Sequence, residues 1–339
     1  MYELADNLYN QTVGPDKPKF KLWTSAGILL TYKCPAACDF CYYRCNPKKG
    51  GLLAVEDALA AWESLIKLSG KSAKVHLTGG EPFLYWTHLA EILEKAQRLG
   101  LGSVDMIETN AFWADSKDLV IERVKYLDSH NVNKLKISYD PFHAEFVEYK
   151  KVKLLADTAA EILGGNRVMV RWQDYMEKDM DVMNMTEDQK IALFTESIKR
   201  HPCRFNGHAA GRLAEIFSDK DLTQISNKNC SGSFLSSKGV HIDPYGNVFC
   251  GTCSGIIIGN IRKIPLEEIW RTFNPSKLDV IGVLFREGPA DSLLEKAVNH
   301  GYKKRRLYSG KCHLCTDLRQ FFFDTGINGS TIGPQECYK

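Results

Sequence analysis

Between residues 20 and about 200 the chain alternates two hydrophobic patterns. Short runs of β-branched and apolar residues fall at 20–31, 74–78, 103–108, 134–139 and 167–172, and each reads as a strand. Between them the apolar positions recur every three or four residues, which predicts helices over 54–68, 87–99, 116–129, 143–163 and 186–199. Gly100 stops the second helix, and Thr186-Glu-Asp-Gln189 is a capping-box signal for the last. This strand–helix rhythm predicts an α/β fold with a parallel sheet and right-handed crossovers.

Beyond residue 200 the rhythm stops. Residues 239–250 read as two short strands around the turn signal Asp243-Pro-Tyr-Gly-Asn247, a hairpin expected to bring Cys230 and Cys250 together. With 339 residues, 44% of them hydrophobic, the chain can fill a barrel plus an appendage. A net charge of +3 is too slight to argue for nucleic acid or a membrane surface, and Lys303-Lys-Arg-Arg306 reads as a solvated helix end. No apolar stretch approaches the ~18 residues of a membrane span, and the N-terminus lacks the order of a signal peptide, so a cytoplasmic protein is expected. In that reducing compartment, 11 cysteines clustered at short spacings read as metal ligands rather than disulfides.

Cys34, Cys38 and Cys41 follow the first strand with C-x3-C-x2-C spacing, on a loop where α/β sheets place ligands. Three thiolates leave a 4Fe-4S cluster one protein ligand short, and its open iron can take the N and O donors of a small molecule. Gly79-Gly80-Glu81-Pro82 follows the strand at 74–78. Two glycines let the main chain approach a ligand closely and Pro82 fixes the turn, although an ordinary strand-to-helix turn has the same composition.

Together the two motifs resemble those of the radical S-adenosylmethionine (SAM) enzymes, in which an aromatic such as Phe40 precedes the third cysteine. The resemblance implies a partial (β/α)6 TIM-like barrel over 20–215 after an N-terminal extension at 1–19. It also implies a SAM-binding 4Fe-4S cluster on Cys34, Cys38 and Cys41, with backbone acceptors for the SAM amino group at Gly79, Gly80, Glu81 and Pro82. Ser138 and Asp140 at the fourth strand end would meet SAM, and Arg171 on the fifth strand would fork onto its carboxylate. By strand alternation Arg167 shares a face with Arg171. Asn110, followed by Ala111 where relatives carry glycine, either lines the cavity or forms a turn. His143 is a candidate general base or a helix-start histidine bonded to backbone, and Cys45 reads as a bystander thiol. In such enzymes an electron from flavodoxin or ferredoxin drives cleavage of SAM to methionine and a 5'-deoxyadenosyl radical, which abstracts a substrate hydrogen.

The later cysteines are Cys230, Cys250, Cys253, Cys312, Cys315 and Cys337. Cys250-x2-Cys253 with Cys312-x2-Cys315 is also a zinc pattern. The set resembles the twitch module, a shortened SPASM domain, which implies a small α+β domain over 216–339 holding a second, auxiliary 4Fe-4S cluster on Cys230, Cys250, Cys312 and Cys315. The further SPASM positions are Phe321 and Thr325, so a third cluster is not expected. Cys253 is either an alternative ligand or a hydrogen-atom donor, a catalytic candidate beside His143. Cys337, close to the C-terminus, is expected to fray and stay idle. Only 33 residues precede Cys34, fewer than a leader-binding domain needs, so the expected substrate is a small polar metabolite undergoing net oxidation or rearrangement. The alternatives are cross-linking, epimerisation or maturation of a ribosomally made peptide or protein, and a non-catalytic iron–sulfur or zinc protein.

Overall fold

A computed structural model describes residues 1–178, 180–327 and 329–339. Its strands are β1 (Ser25–Leu29), β2 (Lys74–Thr78), β3 (Met106–Thr109), β4 (Leu135–Ser138), β5 (Val168–Arg171), β6 (Gly239–Ile242), β7 (Asn247–Cys250) and β8 (Ile257–Asn260). They form one sheet in the order β5-β4-β3-β2-β1-β6-β7-β8. The first six in that order run parallel, and β7 and β8 add on antiparallel. Among the described residues β5 and β8 do not pair with each other, so this is an open, partial barrel, the fold class expected.

The crossovers carry α1 (Val55–Ser69), α2 (Trp86–Arg98), α3 (Lys117–Ser129) and α4 (Tyr149–Leu163), and α5 (Glu187–Arg200) follows β5. The stripe Ala58, Leu59, Ala61, Trp62, Leu65 and Leu68 buries α1, which ends where Gly70 turns left-handed at φ 59°. Thr186 and Gln189 form the expected capping box on α5. The 143–163 helix is interrupted: a single turn, Pro141–Ala144, is capped by Asp140, and α4 restarts at Tyr149. The first strand is also shorter than 20–31. Phe20 packs against Trp23, Trp270 and Phe273, so its apolar character serves aromatic packing instead of sheet pairing.

The hairpin β6–β7 does not stand apart from the core. Ser25, Ala26, Gly27 and Ile28 pair in parallel with Gly239, Val240, His241 and Ile242, so the sheet runs unbroken from the barrel into the C-terminal region. Helix α6 (Lys311–Thr325) and the C-terminal residues pack beyond it. Cys337 is 5% exposed and lies 3.6 Å from the Tyr32 hydroxyl, so the expected fraying does not occur: the chain end is docked under the cysteine loop. No helix among the described residues is long and apolar enough to cross a membrane.

Candidate active site

The C-terminal ends of β1 to β5 open into one pocket lined by Cys34, Cys38, Cys41, the Gly79–Pro82 loop, Asn110, Ser138, His143 and Arg171. The cysteine loop is held by main-chain bonds, Cys34 N to Asn46 O at 3.2 Å and Cys41 N to Cys38 O at 3.0 Å. A second segment braces it from behind. His208 donates from its backbone N to Cys41 O at 2.9 Å, its Nδ1 lies 3.1 Å from Cys38 O, and Gly207 beside it has φ +60°. A Cβ at Gly207 would collide with the carbonyl oxygens of Tyr42 and Cys41. The sulfurs also receive N–H donors: Asn110 Nδ2 lies 3.6 Å from Cys34 Sγ and Cys45 N 3.4 Å from Cys41 Sγ. The Cys41 thiol is drawn down to about 5, chiefly by its hydrogen bond with Cys45 and also by His208. Three thiols sharing one pocket, with donors aimed at their sulfurs, fit an anionic iron–sulfur cluster.

Gly79 and Gly80 are glycines for a reason internal to the chain. Gly80 N donates to Thr31 O at 2.6 Å and Glu81 N to Lys33 O at 3.0 Å, which straps this loop against the strand end that carries Cys34. A Cβ on Gly79 (φ +143°) would lie 2.8 Å from Thr31 O, and one on Gly80 would run into the Lys33 carbonyl. The Glu81 side chain is turned inward as a buried clamp. It accepts from Phe83 N at 3.1 Å, Thr109 Oγ1 at 2.9 Å and Asn110 N at 2.7 Å, and burial pushes its carboxyl up to about 7.

Asn110 sits at the end of β3, where its Oδ1 caps Phe112 N at 3.1 Å while Nδ2 faces Cys34. The two readings of this residue are therefore one geometry. Ala111 has φ 65°, the left-handed region that glycine occupies at less cost. Ser138 pairs in register with Arg171. Arg171 lies across the Phe40 ring, Cζ 4.2 Å from its centroid, and its Nε is 3.7 Å from Asp140 Oδ2. Asp140 itself is fully buried behind the pocket wall. Its Oδ1 caps Phe142 N and His143 N, both at 3.0 Å, and lies 2.9 Å from His143 Nδ1, while Oδ2 makes no hydrogen bond among the described residues. Burial opposes its charge, but His143 and Arg171 outweigh that and hold its carboxyl below the usual range. Arg167 does not share the Arg171 face. It precedes β5 in a 3-10 turn and is tied at the opposite strand end to Asp128 at 2.8 Å and Val132 O at 2.7 Å. The alternation argument fails because the strand begins one residue later, at Val168.

One layer of this site was not legible in the sequence. Thr78, Glu108 and Tyr43 also line the pocket. Thr78 Oγ1 donates to Glu108 Oε2 at 3.0 Å and Lys136 Nζ pairs with Glu108 Oε1 at 3.0 Å. Burial works against the Glu108 charge, yet Lys136 and His76 outweigh it and keep the carboxyl ionised. Below, the His76 and His241 rings meet edge to face, centroids 5.3 Å apart, across Gly27, whose missing side chain leaves their space. Alternation along β2, β3, β4 and β6 could have suggested an inward polar row, but only the register reveals which residues adjoin.

His241 is held down at about 4, first by burial and then by His76. Its folded value lies below its ordinary 6.5, so the folded state favours the neutral ring. The stabilisation is complete above 6.5 and is lost as pH falls toward about 4, because the unfolded chain takes up a proton that the folded one refuses. His241→Asn is expected to flatten the stability–pH curve across that window, measured by urea unfolding. A slope equal to the wild type's would show that the ring does not titrate against folding.

The second cysteine set gathers on α6, the turn before Ser231–Leu235 and the loop after β7. Burial raises the Cys230 thiol to about 12, and neighbouring Cys315, Cys253 and Cys312 add to it against Lys311. Cys312 has Cys315 and Cys253 as thiol neighbours, with Arg204 and Lys311 opposing burial. Cys250, by contrast, points its Sγ at Phe234 O, 3.9 Å away, and among the described residues only Cys253 is its thiol neighbour. Arg319 and Arg204 both favour a charged Cys253. Buried thiols beside Arg319, Arg204 and Lys311 suit an anionic metal centre.

Residues 28–163 match the family model for the Radical SAM superfamily. That stretch carries the Cys34–Cys41 loop and the Gly79–Pro82 loop, and in it the chain is similar to that superfamily. A Bacillus subtilis (strain 168) protein, YydG, provisionally named for peptide biosynthesis, is 30% identical over 149 residues, a match that spans 43% of this chain and 41% of that protein. Among solved structures, anSMEcpe with bound S-adenosylmethionine has 12% identity and a TM-score of 0.47, covering 88% of this chain and 95% of that one. BtrN, in complex with S-adenosylmethionine and 2-DOIA, has 14% identity and a TM-score of 0.43, covering 78% of this chain and 87% of that one. Streptococcus suis SuiB bound to its precursor peptide SuiA has 13% identity and a TM-score of 0.34, covering 94% of this chain and 76% of that one.

Proposed function

We propose that this chain is a radical SAM enzyme that abstracts a hydrogen atom from a residue of a peptide, with a second iron–sulfur centre in its C-terminal region. The observation that carries the proposal is the convergence of Cys34, Cys38, Cys41, the Gly79–Pro82 loop, Asn110, Ser138 and Arg171 on one pocket at the strand ends. A 4Fe-4S cluster with SAM supplies one-electron cleavage to methionine and a 5'-deoxyadenosyl radical. The chain's own contribution is placement. Cys34, Cys38 and Cys41 would hold three irons, and Asn110 and the Cys45 amide donate toward the sulfurs. Arg171, braced by Phe40 and Asp140, offers a guanidinium for the SAM carboxylate. His143, positioned by Asp140, stands at the wall as a proton acceptor. Thr78 and Glu108, the latter paired with Lys136 behind it, give the floor polar groups that can orient a substrate amide.

The peptide substrate is favoured by the likeness to YydG. A small polar metabolite is the second reading, favoured by the charged floor of the pocket. Anaerobically reconstituted protein given SAM and dithionite is expected to form 5'-deoxyadenosine. In a screen of candidate peptides and cell extract, a peptide should change in mass by about one or two hydrogens. A mass change confined to metabolites would favour the second reading, and iron-loaded protein that forms no 5'-deoxyadenosine would end both.

A further inference from the structure

Arg319 lies on α6 one turn beyond Cys315 and is 3% exposed. Its guanidinium donates to Ser254 O at 2.8 Å, Tyr338 Oη at 2.9 Å and Thr316 Oγ1 at 3.1 Å. Its Nε has no hydrogen-bond partner among the described residues. No carboxylate pairs with it: among the described residues, the arginine ion pairs belong to Arg167, Arg171, Arg200, Arg212, Arg262, Arg271 and Arg305. A guanidinium cannot shed its proton, so a buried one needs an anion where it sits. The neighbours able to supply one are Tyr338, Cys315 and Cys253. Tyr338 remains a neutral phenol, because burial pushes its pKa up. The bonds of Arg319 to Ser254 O and Thr316 Oγ1 place it beside Cys253 and Cys315, the residues that adjoin those two in the chain. A metal centre holds its cysteines as thiolates and would supply the missing negative charge.

We propose that Arg319 is the buried counter-cation of the second iron–sulfur centre, that Cys253 joins Cys230, Cys312 and Cys315 as its ligands, and that Arg319 sets its reduction potential. The proposal rests on reading the C-terminal cysteines as an iron–sulfur site, and it moves the fourth ligand from Cys250 to Cys253. Cys250 has its sulfur 3.9 Å from the Phe234 carbonyl and neighbours Cys253, not Cys230, Cys312 or Cys315, among the described residues. A fixed cation beside the ligand cysteines stabilises the more negative, reduced form of a cluster and so raises its potential. Arg44 adds a second guanidinium on the side of the first cysteine loop. It binds Tyr338 O at 2.9 Å and Gln320 Oε1 at 3.1 Å, and its Nε is likewise unpartnered.

The test is an EPR-monitored redox titration of the reconstituted full chain, with iron counted per chain. Wild type is expected to hold about eight irons, Cys250→Ala about eight and Cys253→Ala about four. Arg319→Gln should lower the potential of the second centre and leave that of the first unchanged, whereas Arg319→Lys, which keeps the charge, should stay nearer wild type. A wild-type count of about four irons would overturn the iron–sulfur reading of this region itself. With wild type at about eight irons, loss of the second centre in Cys250→Ala but not in Cys253→Ala would overturn the ligand assignment. Equal potentials in wild type and Arg319→Gln, or equal shifts in the Gln and Lys variants, would overturn the counter-cation role.

Discussion

Replacing Cys34, Cys38 and Cys41 together by alanine is expected to abolish 5'-deoxyadenosine formation under dithionite and to lower the iron content by about four per chain. The three side chains line one pocket and carry the only C-x3-C-x2-C spacing in the sequence. The loop should survive the change, because main-chain bonds to Asn46 and from His208 hold it and the thiols do not. Circular dichroism should therefore remain close to that of the wild type while SAM turnover disappears. Retention of 5'-deoxyadenosine formation by the triple variant would remove the catalytic role assigned to this pocket.

Gly80→Ala is expected to be nearly as damaging, though it touches no proposed metal ligand. The new methyl group would occupy the place of the Lys33 carbonyl, and a backbone atom cannot step aside as the end of a flexible side chain can. The loop would have to give up the bonds from Gly80 to Thr31 and from Glu81 to Lys33, and overpacking of this kind costs about 3 kcal/mol. Because the same strap positions Cys34, the first cluster should assemble poorly as well. Urea unfolding together with iron counting would check both effects, with Gly14→Ala as a control at a position where a Cβ meets nothing within 4 Å. Wild-type stability and iron content in Gly80→Ala would mean that the strap does not hold the cysteine loop.

The glycines thus have a second task beside the one their composition suggested. Read along the chain, Gly79 and Gly80 admit a ligand to the backbone, whereas in the fold they admit the backbone of residues 31–33. Both demands select glycine, so the sequence cannot tell them apart.

What the sequence by itself determined was local. Cysteine spacing, the Gly-Gly-Glu-Pro turn and the alternation of strand and helix periods each lie within a few residues or turns, where covalent connection already sets the distances. The rest depends on pairings between remote segments. Arg171 enters the pocket and Arg167 does not because β5 begins at Val168, a boundary set by its register against β4. His76 and His241 meet because β1, with Gly27 between them, pairs with β2 on one side and with β6 on the other. Cys253 rather than Cys250 faces Cys312 and Cys315 because Cys250 ends β7 with its sulfur turned toward Phe234, while the chain has already left the strand at Cys253. Arg319 reads as a charged residue on a helix until packing encloses it. Strand register and burial arise from contacts among segments far apart in sequence, so only the folded chain decides which of its polar residues share a wall.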